Sequence, residues 1–132
     1  MDSRFLPSMP DYKGNAGARA SPWRGWVNPN NRSVDVVGRV NLSRPSDIDR
    51  VEDRCGCYAV LYRAAPESYY TAYIGYSRTL RKELRAYYRS GVVESADFPF
   101  TAVYISSAEV SKAYELDLIR YYSPPWNTKF HR

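Results

Sequence analysis

Residues 57–76 read CYAVLYRAAPESYYTAYIGY, and this stretch decides the fold. Residues 57–63 (CYAVLYR) are rich in aliphatic and aromatic side chains and predict a strand. Residues 64–68 (AAPES) turn the chain, and 69–76 (YYTAYIGY) bring it back as a second strand. With the turn centred near Ala65 and Pro66, Tyr58 falls opposite Tyr73 and Gly56 opposite Gly75. Directly opposed residues hold their Cβ atoms roughly 5 Å apart, so two phenols share one face of the sheet. The paired glycines leave a place for close backbone approach.

Working outward, Thr79 is a fair helix N-cap, and Leu80, Leu84, Tyr87 and Tyr88 follow at helical spacing up to Gly91. Residues 98–106 (FPFTAVYIS) predict a third strand. Ser106 and Glu109 have the spacing of a capping box for a second helix, which runs to about Tyr122 and stops at Pro124 and Pro125. The order strand, strand, helix, strand, helix predicts a small α+β domain over residues 55–132. Its expected centre is a three-stranded, mostly antiparallel sheet flanked by helices.

Residues 1–54 have a different character. Pro7, Pro10, Pro22, Pro29 and Pro45 interrupt them, and apolar periodicity is sparse. Such a segment buries too little surface alone to offset its chain entropy, so it is expected to be an irregular arm held in place by a partner chain, a second subunit or a folded-back strand. Residues 34–40 are its one plausible strand, and 46–53 predict a short helical turn. The run Pro22-Trp23-Arg24-Gly25-Trp26 is its most distinctive piece. Trp23, Arg24 and Trp26 read first as an anchor on protein, with stacking on bases as the alternative.

The chain has 132 residues, enough for one compact domain and an appendage. Its formal net charge of +5 favours an anionic partner, nucleic acid before a membrane surface. The charge is spread, with no polybasic tail. Cys55 and Cys57 are one residue apart and bridge poorly, and they lack the further ligands a structural zinc needs. Both read as reduced thiols of an intracellular protein. No apolar run approaches the length of a membrane span and no signal peptide opens the chain, so a soluble protein is expected.

Several landmarks together resemble the GIY-YIG nuclease superfamily. Gly56-Cys57-Tyr58 resembles its first motif, with cysteine in place of isoleucine, and Tyr73-Ile74-Gly75 its second. Ser77-Arg78-Thr79-Leu80-Arg81-Lys82 is similar to the stretch that opens the family's first helix. Glu115 with Leu118 and Ile119, then Pro124 and Asn127, resembles its acidic helix and terminal Pro-x-x-Asn. The closing Pro-Pro-Trp-Asn is most like the small phage endonucleases of the family. The resemblance spans residues 56–127 and keeps the order and spacing of five landmarks.

That resemblance implies an endonuclease that hydrolyses phosphodiester bonds. Glu115 would hold one divalent cation, magnesium for preference, since hard cations take carboxylate oxygens and keep several waters. The metal would stabilise charge on the leaving oxygen. Tyr58 would act as base or positioning group for the attacking water. A free phenol has a pKa of about 10, so it needs a positive neighbour to work near neutrality. Tyr73 would hydrogen-bond near the same phosphate, and Asn127 would brace the site from behind. Trp126 reads as core.

One position departs from the family pattern. Ten residues after the tyrosine of the second motif the family carries a phosphate-contacting arginine, and here that position is Glu83. A carboxylate there repels a phosphate, unless it too holds the metal; unit charges about 4 Å apart interact by about 4 kcal/mol at an effective dielectric of 20. At about 100° per residue, Arg81 and Arg85 point about 160° away from Glu83 and Lys82 about 100° away. Tyr76 stands where several relatives carry lysine.

Two functions therefore stand. One is a metal-dependent DNA endonuclease with a rearranged basic residue. The other is a degenerate nuclease domain kept as a nucleic-acid-binding or structural subunit of a larger assembly, such as a ribonucleoprotein or a phage particle. The basic run Arg78, Arg81, Lys82, Arg85 and Arg89 could follow a nucleic-acid backbone, DNA rather than RNA, or form an ordinary solvated helix face. Assembly through the arm, as a homo-oligomer or a larger complex, is expected in either case.

Overall fold

The computed structural model describes residues 27–65, 68–90, 100–124 and 126–127. Its elements run β1 (Asp35–Asn41), α1 (Pro45–Ile48), β2 (Gly56–Ala65), β3 (Ser68–Ser77), α2 (Leu80–Ser90), β4 (Phe100–Ile105) and α3 (Ala108–Tyr122). The class is α+β, as expected. The sheet has four strands rather than three, in the order β1-β4-β2-β3, and every pairing is antiparallel. The added strand, β1, comes from the proline-rich stretch assigned to the arm. Its Val36 and Val40 pair with Tyr104 and Thr101 of β4. A bulge places Gly38 at φ 124°, a conformation that L side chains rarely adopt.

The hairpin of β2 and β3 forms as the sequence predicts, but its register differs by two. Tyr58 lies opposite Gly75, and Tyr73 opposite Val60. The expected pairing assumed a regular ladder around Ala65 and Pro66. Instead Ala65 pairs with Ser68, and a bulge inserts Ala72 between the Val60–Tyr73 and Leu61–Thr71 pairs. A two-residue shift preserves which side chains share a face, so Tyr58 and Tyr73 still lie together.

Helices cover both faces. On α2, Leu80, Glu83, Leu84 and Tyr87 form one buried stripe. Leu80, Leu84 and Tyr87 join Tyr58, Val60, Tyr73, Val103 and Trp126, with Ile48 of α1, in one core. Across the sheet, Tyr114, Leu118 and Tyr122 of α3 pack on Cys57, Ala59, Leu61, Ile74 and Tyr104. Helix α3 is capped at Ser107, whose hydroxyl accepts from the Val110 amide, so the predicted capping box at Ser106 is off by one residue. Ser106 instead donates to the Ser33 carbonyl at 2.6 Å. Ser123 ends α3 in the left-handed region at φ 47°, donating its amide to Ile119 O, and Pro124 then stops the helix.

Residues 27–34 run along α3. The Tyr114 hydroxyl donates to the Val27 carbonyl, and Val27 and Val34 pack on the α3-side core. Asp117 of α3 accepts from Arg32 Nε at 2.7 Å, Arg32 Nη2 at 3.1 Å and Asn30 Nδ2 at 2.8 Å. The guanidinium holds the Asp117 carboxyl below the usual aspartate value. Among the described residues, no helix is long and apolar enough to cross a membrane.

Candidate functional site

Strand alternation sends Tyr58 and Val60 to the α2 side, and Cys57, Ala59 and Leu61 to the α3 side. Tyr58 and Tyr73 meet there, with ring centroids 6.2 Å apart. Gly75 makes this possible. A Cβ on it would lie 2.6 Å from both Cζ and the hydroxyl oxygen of Tyr58. The missing side chain is the space the phenol occupies.

Glu83 enters the same place from α2. Its carboxylate accepts the Tyr58 hydroxyl proton, and Ser77 gives it a second hydrogen bond. Tyr87, one helical turn further on, brings its hydroxyl to 3.2 Å from that of Tyr58 and its ring edge-on at 5.7 Å. A phenol has one proton. Since that of Tyr58 goes to Glu83, Tyr87 is the donor in the second bond. Tyr58 is 0% exposed and Glu83 8%. The pair forms a closed polar network inside an apolar core, where each member satisfies another.

Charge follows from this burial. Desolvation, then the neighbouring phenol and carboxylate, pushes the Tyr58 pKa well above 10. Desolvation raises Tyr73 too, with Glu83 and Glu115 adding to it. Glu83 is likewise raised by burial, although its bonds to Tyr58 and Ser77 pull the other way. Among the described residues, no cation acts on Tyr58, whose raised pKa makes it a neutral hydrogen-bond donor.

Glu115 reaches the site from α3 along the free side of β3. It accepts a hydrogen bond from the Tyr76 amide, and Lys112, one turn earlier, stabilises its charge. Partial burial and the charge of Glu83 outweigh both, and its carboxyl is pushed up to about 7. The Lys112 ammonium lies 5.5 Å from the Tyr76 ring centroid. Two carboxylates and two phenols thus influence one another across one end of β3. Glu83 is committed to Tyr58 and Ser77, so Glu115 is the carboxylate on which a hard cation could sit. Among the described residues, no three metal-ligating side chains cluster. Magnesium tolerates one protein carboxylate with waters filling its shell, which is as far as this donor set goes.

Asn127 lies behind the site. Its carboxamide donates to the Ile74 carbonyl at 2.8 Å and accepts from the Ile74 amide at 2.7 Å, so it holds the backbone between Tyr73 and Gly75. Trp126 is fully buried against Tyr73, with centroids 6.4 Å apart. Of the four side chains expected to converge, Tyr58 and Tyr73 meet on the α2 face, Glu115 comes from α3 on the other face to the Tyr76 amide, and Asn127 spends its polar groups on the Ile74 main chain. Tyr87 and Ser77 complete the network without having been singled out from the sequence. Periodicity marked Tyr87 as core, and its place four residues after Glu83 was the available signal.

The basic residues lie elsewhere. Arg78, Lys82 and Arg89 are exposed, and Arg81 and Arg85 partly so, away from the buried stripe of α2. Arg85 pairs with Asp49 at 2.6 Å. Trp23, Arg24 and Trp26 lie outside the described residues. Comparison with protein-family models, with curated proteins and with solved structures returns no match for this chain.

Proposed function

We propose that the chain is a GIY-YIG-like domain whose cleavage site is closed, and that it serves as a nucleic-acid-binding module. The observation that carries this reading is the buried bond from the Tyr58 hydroxyl to the Glu83 carboxylate. The side chain expected to activate water is fully enclosed and donates its hydrogen bond to a carboxylate. That carboxylate stands where the resemblance calls for a phosphate-binding arginine. A phosphodiester approaching Tyr58 would meet negative charge and a packed core. The net charge of +5 and the exposed basic side of α2 support retention of nucleic-acid binding.

The test is nicking of supercoiled plasmid in magnesium by the native chain, Glu83→Arg and Glu115→Ala, with folding checked by circular dichroism. The native chain is expected to leave the plasmid intact while still retarding DNA in a gel. Nicking that Glu115→Ala abolishes would overturn this reading in favour of the active endonuclease. A specific observation favours that second reading: burial, and then the charge of Glu83, pushes Glu115 up to about 7, and a divalent cation beside it would offset both. Isothermal titration with magnesium separates the two, since the closed module takes up none at this site.

A further inference from the structure

We propose that the outer side of α2 binds single-stranded rather than duplex nucleic acid, with the Tyr88 ring stacking on an unpaired base. This deepens the nucleic-acid-binding reading and rests on it. The buried stripe of α2 runs through Leu80, Glu83, Leu84 and Tyr87. At about 100° per residue, Tyr88, Arg81, Arg85, Arg89 and Lys82 fall in order across the opposite arc, within about 120° of one another. Tyr88 is 43% exposed, although Tyr87 beside it is fully buried. Arg85 is neutralised by Asp49. Among the described residues, no ion pair engages Arg78, Arg81, Lys82 or Arg89, so four cations remain for an anionic partner.

The pairing of an open phenol with unmatched cations selects the partner. Cations alone attract any phosphate chain and do not distinguish strandedness. An aromatic ring beside them gains from a base only when the face of that base is free, as in a single strand; in a duplex the faces are already stacked. Eleven residues of α2 span roughly 16 Å, which suits a short footprint near the lower end of single-strand sites, about 4 nucleotides.

Fluorescence anisotropy with the full chain tests this, using labelled oligothymidine, oligouridine and a mixed-sequence duplex across a salt series. The single strands are expected to bind about tenfold more tightly than the duplex. Tyr88→Ala should weaken single-strand binding about tenfold and leave duplex binding unchanged, whereas Tyr88→Phe keeps the ring and the affinity. Replacing Arg78, Lys82 and Arg89 together by alanine should lower the single-strand salt slope by about 2. Equal binding of duplex and single strands, with Tyr88→Ala without effect, overturns this inference and leaves the nucleic-acid-binding reading intact. Absence of binding to all three probes overturns both.

Discussion

The two faces of the sheet draw alternate residues from the same strands, yet they are held by different means. On the α3 face, Ala59, Leu61, Tyr104, Leu118 and Tyr122 close by apolar burial. Its carboxylate, Asp117, is bonded by Arg32 and Asn30. On the α2 face a glutamate lies among three tyrosines, and each polar group depends on another inside the core. Burial of hydrocarbon is indifferent to protons, whereas a buried carboxylate is not. One face is therefore governed by area and the other by where its protons sit.

Leu118→Ala should give the largest effect. Leu118 is fully buried, and truncation of this kind costs about 3 kcal/mol in urea unfolding. The loss should be the same at about pH 5 and about pH 8; a loss that changed with pH would break the contrast between the faces. Gly75→Ala comes next, at about 2 kcal/mol, because the new methyl group meets the rigid Tyr58 ring. The loss should shrink in a Tyr58→Ala background, where the obstructing ring is gone; additive losses would show that the glycine serves something other than the phenol.

Glu115 belongs to α3 by chain and to the α2-side network by charge. Its folded value, about 7, lies above the ordinary glutamate value of 4.5, so the folded protein holds this proton more tightly. The stability it contributes is complete below about pH 4.5 and is lost as pH rises through about 7. Allowing for its partial exposure, native stability should fall by about 1 kcal/mol over that window relative to Glu115→Gln. Matching pH profiles for the two proteins would detach Glu115 from the network.

Much of this was legible in the sequence, for identifiable reasons. The phenols of Tyr58 and Tyr73 share a face under any even shift of register, so their meeting survived the wrong pairing. The stripe of Leu80, Leu84 and Tyr87 fixed α2, and with it the inward position of Glu83. What escaped depends on contacts distant in sequence. The strand at residues 35–41 carries few inward apolar side chains, and only its pairing with β4 makes it part of the sheet. The bulge at Ala72 leaves no mark in composition. That Glu83 takes the Tyr58 hydroxyl as its partner depends on packing across 25 residues, which spacing does not reveal.

Strand β3 is the outermost strand on its side of the sheet, and an unsatisfied row of peptide groups there would invite a strand from another molecule to add on. At Ile74 the Asn127 side chain already occupies the position that such an intruder's peptide group would take, imitating one residue of it. A single carboxamide thereby closes the β3 edge at Ile74, and removing it would leave a buried amide and a buried carbonyl without partners.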